Sequence, residues 1–406
     1  MRDPKLRSRL SRREFLGGAG STLVALAIPS IWARPSRAAS TDPVIVTIFL
    51  RGAADGLSLV VPHGDADYAQ LRPNIKLSPS DTRDLGGFYA LHPSLAPLEP
   101  HYQNGSLAII HAVGSPDPTR SHFAAQDHME TAAVGAPGIT TGWLNRYLST
   151  QSVAGAFAGV SIGSSKSLAL AGNVNTISFY SLDTFQPGEF LSNERVAAWR
   201  SAFRAWPDQR LRHASDEMLA AADVVASVPR DTDVLYPDTD FARSLRDAAA
   251  LIKSPVGVRA LSVNLDGFDH HTNANVNMPS VAGTLAGALA AFQQDLGEHA
   301  ARTLTLVMTE FGRAARENGS AGADHGHGSV MFALGGGVHG GRVLTHGGQW
   351  PGLAPENLFE GRDLAVTTDF RDVFADVLRR HLGVADPGVV IPDFIADAQR
   401  EPGLWS

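Results

Sequence analysis

Apolar runs of five to seven residues recur along the chain at 44–50, 106–112, 259–265, 304–308 and 330–334, separated by polar, glycine-rich stretches. Apart from Ser262 and Asn264 in the third, they do not alternate polar with apolar, and each predicts a strand covered on both faces. Segments of 3.6-residue periodicity between them predict helices at 91–102, 121–133, 143–148, 195–206, 211–228, 239–252, 281–299 and 369–382. The order 259–265, 281–299, 304–308 is strand, helix, strand, which makes the two strands parallel. Residues 62–90, rich in Pro, Asp and Gly, predict an ordered surface excursion. No internal repeat or linker divides the chain, so an α/β fold in one domain over 39–406 is expected.

Where these strands end, acidic and imidazole side chains gather. Asp55 follows the first, Asp266, Asp269, His270 and His271 follow the third, and Glu310 with Arg313 follows the fourth. In an open parallel sheet such residues emerge at one edge, where ligands of doubly wound folds bind. A turn needs only Asp and Gly, so the two histidines after Asp269 point beyond turn chemistry. Asp324, His325, Gly326 and His327 add a second dense group, with His339 and His346 as lesser candidates. Carboxylates with imidazoles suit one or two divalent metal ions, zinc or manganese better than calcium or magnesium. Ser121 opens a helix, either as its N-cap or as a nucleophile beside the positive end of the helix dipole.

Composition narrows the chemistry. With no cysteine in 406 residues, disulfides and thiolate metal sites are excluded. Residues 1–38 hold 8 of 34 basic and 2 of 41 acidic residues, leaving the remainder with a net charge near −13. So acidic a body has no electrostatic reason to bind nucleic acid or an anionic membrane. The N-terminus carries Ser11-Arg12-Arg13-Glu14-Phe15-Leu16, a weakly apolar glycine-broken stretch and a Ser36-Arg37-Ala38 cleavage site. That is a twin-arginine export signal over 1–38, which implies the export machinery as a partner, a periplasmic or secreted destination and no stable membrane span after cleavage. Gly163-Ser164-Ser165-Lys166-Ser167 lacks phosphate-loop spacing, and the GxGxxG at 335–340 has no helix behind it. A metal-free serine triad lacks its GxSxG elbow.

The motifs taken together resemble domain-of-unknown-function family 1501. They are Arg51-Gly52-Ala53-Ala54-Asp55-Gly56, Leu91-His92-Pro93, Ser121-His122-Phe123, Thr141-Gly142-Trp143-Leu144, Gly267-Phe268-Asp269-His270-His271, Thr309-Glu310-Phe311-Gly312-Arg313 with Asn318-Gly319, Asp324-His325-Gly326 and Thr368-Asp369-Phe370-Arg371. That family is similar to the alkaline phosphatase and sulfatase superfamily. The resemblance implies a three-layer α/β/α fold and an exported metal-dependent hydrolase of phosphate or sulfate esters, acting on a small anionic ester or glycan. It implies Ser121 as nucleophile and Asp55, Asp269, His271 and His325 as metal ligands; the residues themselves add Glu310 and Asp324 as candidate ligands and Arg313 as an anion-stabilising group or a structural ion pair. The chain departs from that superfamily at Glu310-Phe311, where an adjacent Asp-His is usual, with Asp324 or His327 as replacement ligand; the sulfatase Cys-x-Pro-x-Arg signature is absent. A second expectation keeps the fold without the chemistry, as an inert metal- or ligand-binding protein.

Overall fold

Every residue of Val44–Leu50 (β1) is buried, as an unbroken apolar run requires. Its side chains alternate between two cores: Val44, Val46, Ile48 and Leu50 on one face, Ile45 and Phe49 on the other. In this computed structural model the described residues are 41–406 apart from 137, 153–155 and most of 185–226. The expected export segment, 1–38, lies outside them, as do large parts of the helices predicted at 195–206 and 211–228.

Eight further strands join β1 in one sheet: Leu107–Gly114 (β2), Gly159–Ile162 (β3), Ile177–Phe179 (β4), Ala260–Leu265 (β5), Thr303–Thr309 (β6), Ser329–Gly335 (β7), Arg342–Leu344 (β8) and Thr368–Asp369 (β9). The order is β8-β2-β7-β6-β1-β5-β3-β4, with β9 beside β2. Only β7 runs antiparallel to its neighbours. The strand–helix–strand expectation holds in direction, but β1 lies between β5 and β6 and pairs with both.

Helices cover both faces, which makes the fold a three-layer α/β/α sandwich. His122–Thr131 (α1), Trp143–Thr150 (α2) and Phe370–Arg380 (α5) contribute Met129, Trp143, Tyr147, Phe374 and Leu378 to one core. Trp143 stacks on Phe374 at 4.4 Å between ring centroids. Asp240–Lys253 (α3) and Ala274–Leu296 (α4) bury Leu245, Leu251, Leu285, Leu289 and Phe292 in the other. Each such fully buried side chain contributes roughly 1.5–3 kcal/mol. Thr239 caps α3 and Asp369 caps α5 through side-chain oxygens. Helix α4 starts seven residues before its predicted position at 281, at Ala274, with Pro279 inside it.

Register positions the site. Leu50 pairs with Leu265 and with Thr309, so β1, β5 and β6 end in one row and the loops beginning at Arg51, Asp266 and Glu310 start side by side. Strand β2 ends next to them and delivers α1. Because β7 is antiparallel, the loop entering it, 324–328, arrives at the same edge.

Candidate metal centre

Three side chains from three of these loops converge. His122 is the first residue of α1, Asp269 follows β5 and His325 precedes β7. One donor atom from each lies within 4.8 Å of the others. The two Nε2 atoms are 3.1 Å apart, and Asp269 Oδ1 is 3.7 Å from that of His122 and 3.4 Å from that of His325. Phe311, buried beneath, faces the His122 ring at 5.1 Å and the His325 ring at 5.2 Å.

The other ring nitrogens decide the state of these imidazoles. His122 Nδ1 is 2.8 Å from Glu310 Oε1, and His325 Nδ1 is 2.9 Å from the Arg120 carbonyl. An ionised carboxylate and a carbonyl only accept, so both Nδ1 atoms carry a proton, and the two Nε2 atoms are turned toward each other. Burial pushes the Glu310 carboxyl up. Hydrogen bonds from Gln126, its own backbone, His122 and Gly52 outweigh that and hold it ionised, below the ordinary glutamate range. Burial, with the nearby Arg313 charge, keeps His325 below the usual histidine range despite the Arg120 carbonyl. Asp269 is raised by burial, but the Arg313 hydrogen bond and charge bring it below the ordinary carboxylate value.

Two imidazole Nε2 atoms facing each other at 3.1 Å need a proton or a metal cation between them, and the third donor is a carboxylate that favours a cation there. Zinc–nitrogen bonds of about 2.0–2.1 Å at tetrahedral angles put neighbouring donors about 3.3–3.4 Å apart, and the observed spacings of 3.1, 3.4 and 3.7 Å lie on either side of that value. Two imidazoles favour zinc or another transition metal over calcium or magnesium, which prefer all-oxygen shells. The arrangement fits one divalent ion, with Glu310 behind His122 as an orienting carboxylate.

Residues 92–395 match the family described as "Protein of unknown function (DUF1501)". The chain belongs to this family. No curated protein matches it. Among solved structures it is similar to TAB5 alkaline phosphatase with Mg bound, at 11% identity and TM-score 0.34 over 73% of this chain and 92% of that one. It is also similar to a zinc complex of the C-terminal periplasmic domain of EcEptC from Escherichia coli, at 9% identity and TM-score 0.34 over 76% and 77%. A third is the PsFucS1 sulfatase from Pseudoalteromonas sp., at 10% identity and TM-score 0.37 over 85% and 68%. The fold assignment rests on strand order and layering.

The centre of this DUF1501 chain differs from the ligand set expected from its sequence. Asp269 and His325 are in it. His271 stands next to it, its Nδ1 2.9 Å from Asp269 Oδ1. Glu310 is fully buried, and its Oε1 accepts from Gly52 N, Gln126 Nε2 and His122 Nδ1 at 2.8–3.0 Å, so it holds a ligand instead of being one. Asp324 is exposed, its side chain accepting from Asn318 at 3.0 Å.

Asp55 is not brought to the centre. It caps the one-turn helix Gly56–Leu59, accepts from Ser58, and is paired with Arg72 at 2.6 and 3.1 Å. The 62–90 excursion thus sends Arg72, fully buried, beneath the site. Arg313 is also buried, which removes it from an anion-binding role. It donates to the carbonyls of Ala53, Ala323, Gly52 and Phe268 and to Asp269 Oδ1, and its remaining Nη1 hydrogen faces the His271 ring at 3.4 Å. It ties three loops together. Ser121 is at the N-cap of α1, exposed, with its hydroxyl unused in capping. His339 and His346 are exposed elsewhere.

Sequence reasoning passed over His122 and Gln126. Their signal was the i, i+4 spacing, which puts both on one helix face, where they meet Glu310 together. Two glycines permit the close approaches. A Cβ on Gly326 would lie 2.2 Å from the Arg313 carbonyl carbon, and one on Gly52, at φ +108°, would lie 2.6 Å from Asp269 N.

Proposed function

We propose that this protein is a metal-dependent hydrolase of phosphate or sulfate esters, exported by the twin-arginine route to the periplasm or beyond, with a mononuclear centre held by His122, His325 and Asp269. The observation that carries this reading is the pair of imidazole Nε2 atoms 3.1 Å apart with the Asp269 carboxylate beside them. A bound divalent cation supplies Lewis acidity to an ester oxygen or a water. Glu310 fixes the His122 tautomer and offsets positive charge on that ring through the Nδ1–H bond. Arg313 donates to Asp269 Oδ1 and orients that carboxylate, with His271 Nδ1 2.9 Å from the same oxygen. Ser121, or a water, is the candidate nucleophile.

The test is turnover of aryl phosphate and aryl sulfate by wild type before and after chelation, beside Asp269→Ala. Activity lost on chelation, restored by zinc or manganese and absent in the variant supports the reading; turnover indifferent to both contradicts it. A second reading, an inert metal- or ligand-binding protein, is favoured by the full engagement of Arg313, which leaves no guanidinium at the centre for a substrate anion. Stoichiometric metal with no turnover of either ester would support it.

A further inference from the structure

His325 and His327 leave the same loop in different directions. His327 is 6% exposed, and its ring stacks on Phe359 at 4.4 Å. Neither of its ring nitrogens has a hydrogen bond among the described residues, and the ring borders a cavity of about 840 Å³. That volume is in the range of small-molecule sites. None of the three donors of the metal centre lines it.

The cavity wall combines aromatic faces with paired charges. Arg371 holds Asp369 through Nε and Nη2 at 3.1 and 2.7 Å, leaving Nη1 without a partner among the described residues. Arg400 reaches Asp372 at 3.3 Å. The two guanidinium carbons stand 4.7 and 5.8 Å from the Phe394 ring centroid. Asp393 adds a carboxylate, and Ile395, 87% exposed, adds an apolar edge.

An anionic ligand would meet three carboxylates here, and a cation two guanidiniums. A neutral polyhydroxylated ring satisfies both, because each hydroxyl donates and accepts while the C–H groups of the ring meet the apolar edges of Phe394 and Ile395. His327, with one donor and one acceptor, adds a further partner for hydroxyls. We propose that this cavity is a saccharide-binding site. It adjoins the metal centre through chain: Pro116 lines the cavity, and four residues on, the Arg120 carbonyl holds His325. Joined to the proposed hydrolase, and resting on that reading, the site makes the substrate an ester of a glycan.

The test titrates the full chain with neutral oligosaccharides of glucose, N-acetylglucosamine, xylose and mannose by calorimetry and ligand-observed NMR. One sugar class should bind, with Phe394→Ala and Arg371→Gln each weakening it about tenfold or more and Asp269→Ala leaving its Kd unchanged. Phe394 is half-buried, so its variant keeps the test alive if Arg371→Gln fails to fold. The proposal is overturned if no sugar binds at millimolar concentration, if binding ignores both substitutions, or if inorganic phosphate binds there instead. Binding is read without turnover or metal, so failure of the hydrolase reading leaves this result standing.

Discussion

His122 Nδ1 and Glu310 Oε1 are 188 positions apart in sequence and 2.8 Å apart in space. That contact joins the start of α1 to the end of β6 and sets which nitrogen of His122 faces its neighbours. A metal-binding imidazole held this way has one tautomer and one orientation before any ion arrives.

Glu310→Ala is therefore expected to weaken metal affinity about 10–100-fold while leaving His325 and Asp269 in place. Glu310→Gln, which retains an acceptor but no charge, should fall between wild type and Ala. Chelator competition with zinc measures both; equal affinity across the series would mean that Glu310 does not orient His122.

Asp55→Asn separates stability from metal binding. The Asp55–Arg72 pair is buried, with side chains 4% and 0% exposed, and breaking such a pair costs about 3–5 kcal/mol. Chemical denaturation should show that loss while metal content stays at the wild-type level. A variant of unchanged stability that had lost its metal would restore Asp55 as a ligand.

Arg313→Lys tests whether this side chain binds loops or substrate. Lysine cannot reproduce a planar fork donating to four carbonyls and a carboxylate, so unfolding at lower denaturant and weakened metal binding are expected together. Intact stability with a selective rise in KM would instead point to an anion-binding role.

Acid should weaken the fold through two buried histidines. Burial lowers His111 and His92 each to about 4. His111 is neutral, with Nε2–H donating to the Val60 carbonyl and Nδ1 accepting from Ala112 N–H; His92 Nδ1 accepts from Ser94 N–H. Both folded-state values lie below the unfolded value of 6.5, so the unfolded chain takes up protons first. Stability is thus complete above pH 6.5 and falls as pH drops from there toward 4, by about 3 kcal/mol for His111 alone. Urea unfolding at pH about 7.5 and about 4.5 should show a smaller difference in His111→Gln than in wild type. An equal difference would rule out His111 as a source of acid sensitivity.

Much of the sheet was legible because Val44–Leu50, Thr303–Thr309 and Ser329–Gly335 are mostly apolar with no charged residue, and such runs bury on both faces. Asp269 and His325 were legible because strand-end loops rich in Asp and His carry few purely structural explanations. Asp55 was not, since the same strand-end position serves a helix cap with a buried arginine, and only the path of residues 62–90 shows that Arg72 returns beneath it. Arg313 was open between two readings for a related reason. A guanidinium near acids can meet a ligand or hold carbonyls, and counting its donors requires the loops in place. His122 was hidden beside Ser121, whose hydroxyl attracted the helix-cap and nucleophile readings.

The central claim is that His122, His325 and Asp269 share one transition-metal ion. Elemental analysis of the purified protein after equilibration with zinc or manganese tests it, with His122→Ala and Ser121→Ala prepared alongside. One equivalent in wild type and Ser121→Ala, and none in His122→Ala, is the expected result. A metal-free wild type, or a full equivalent retained by His122→Ala, would contradict it.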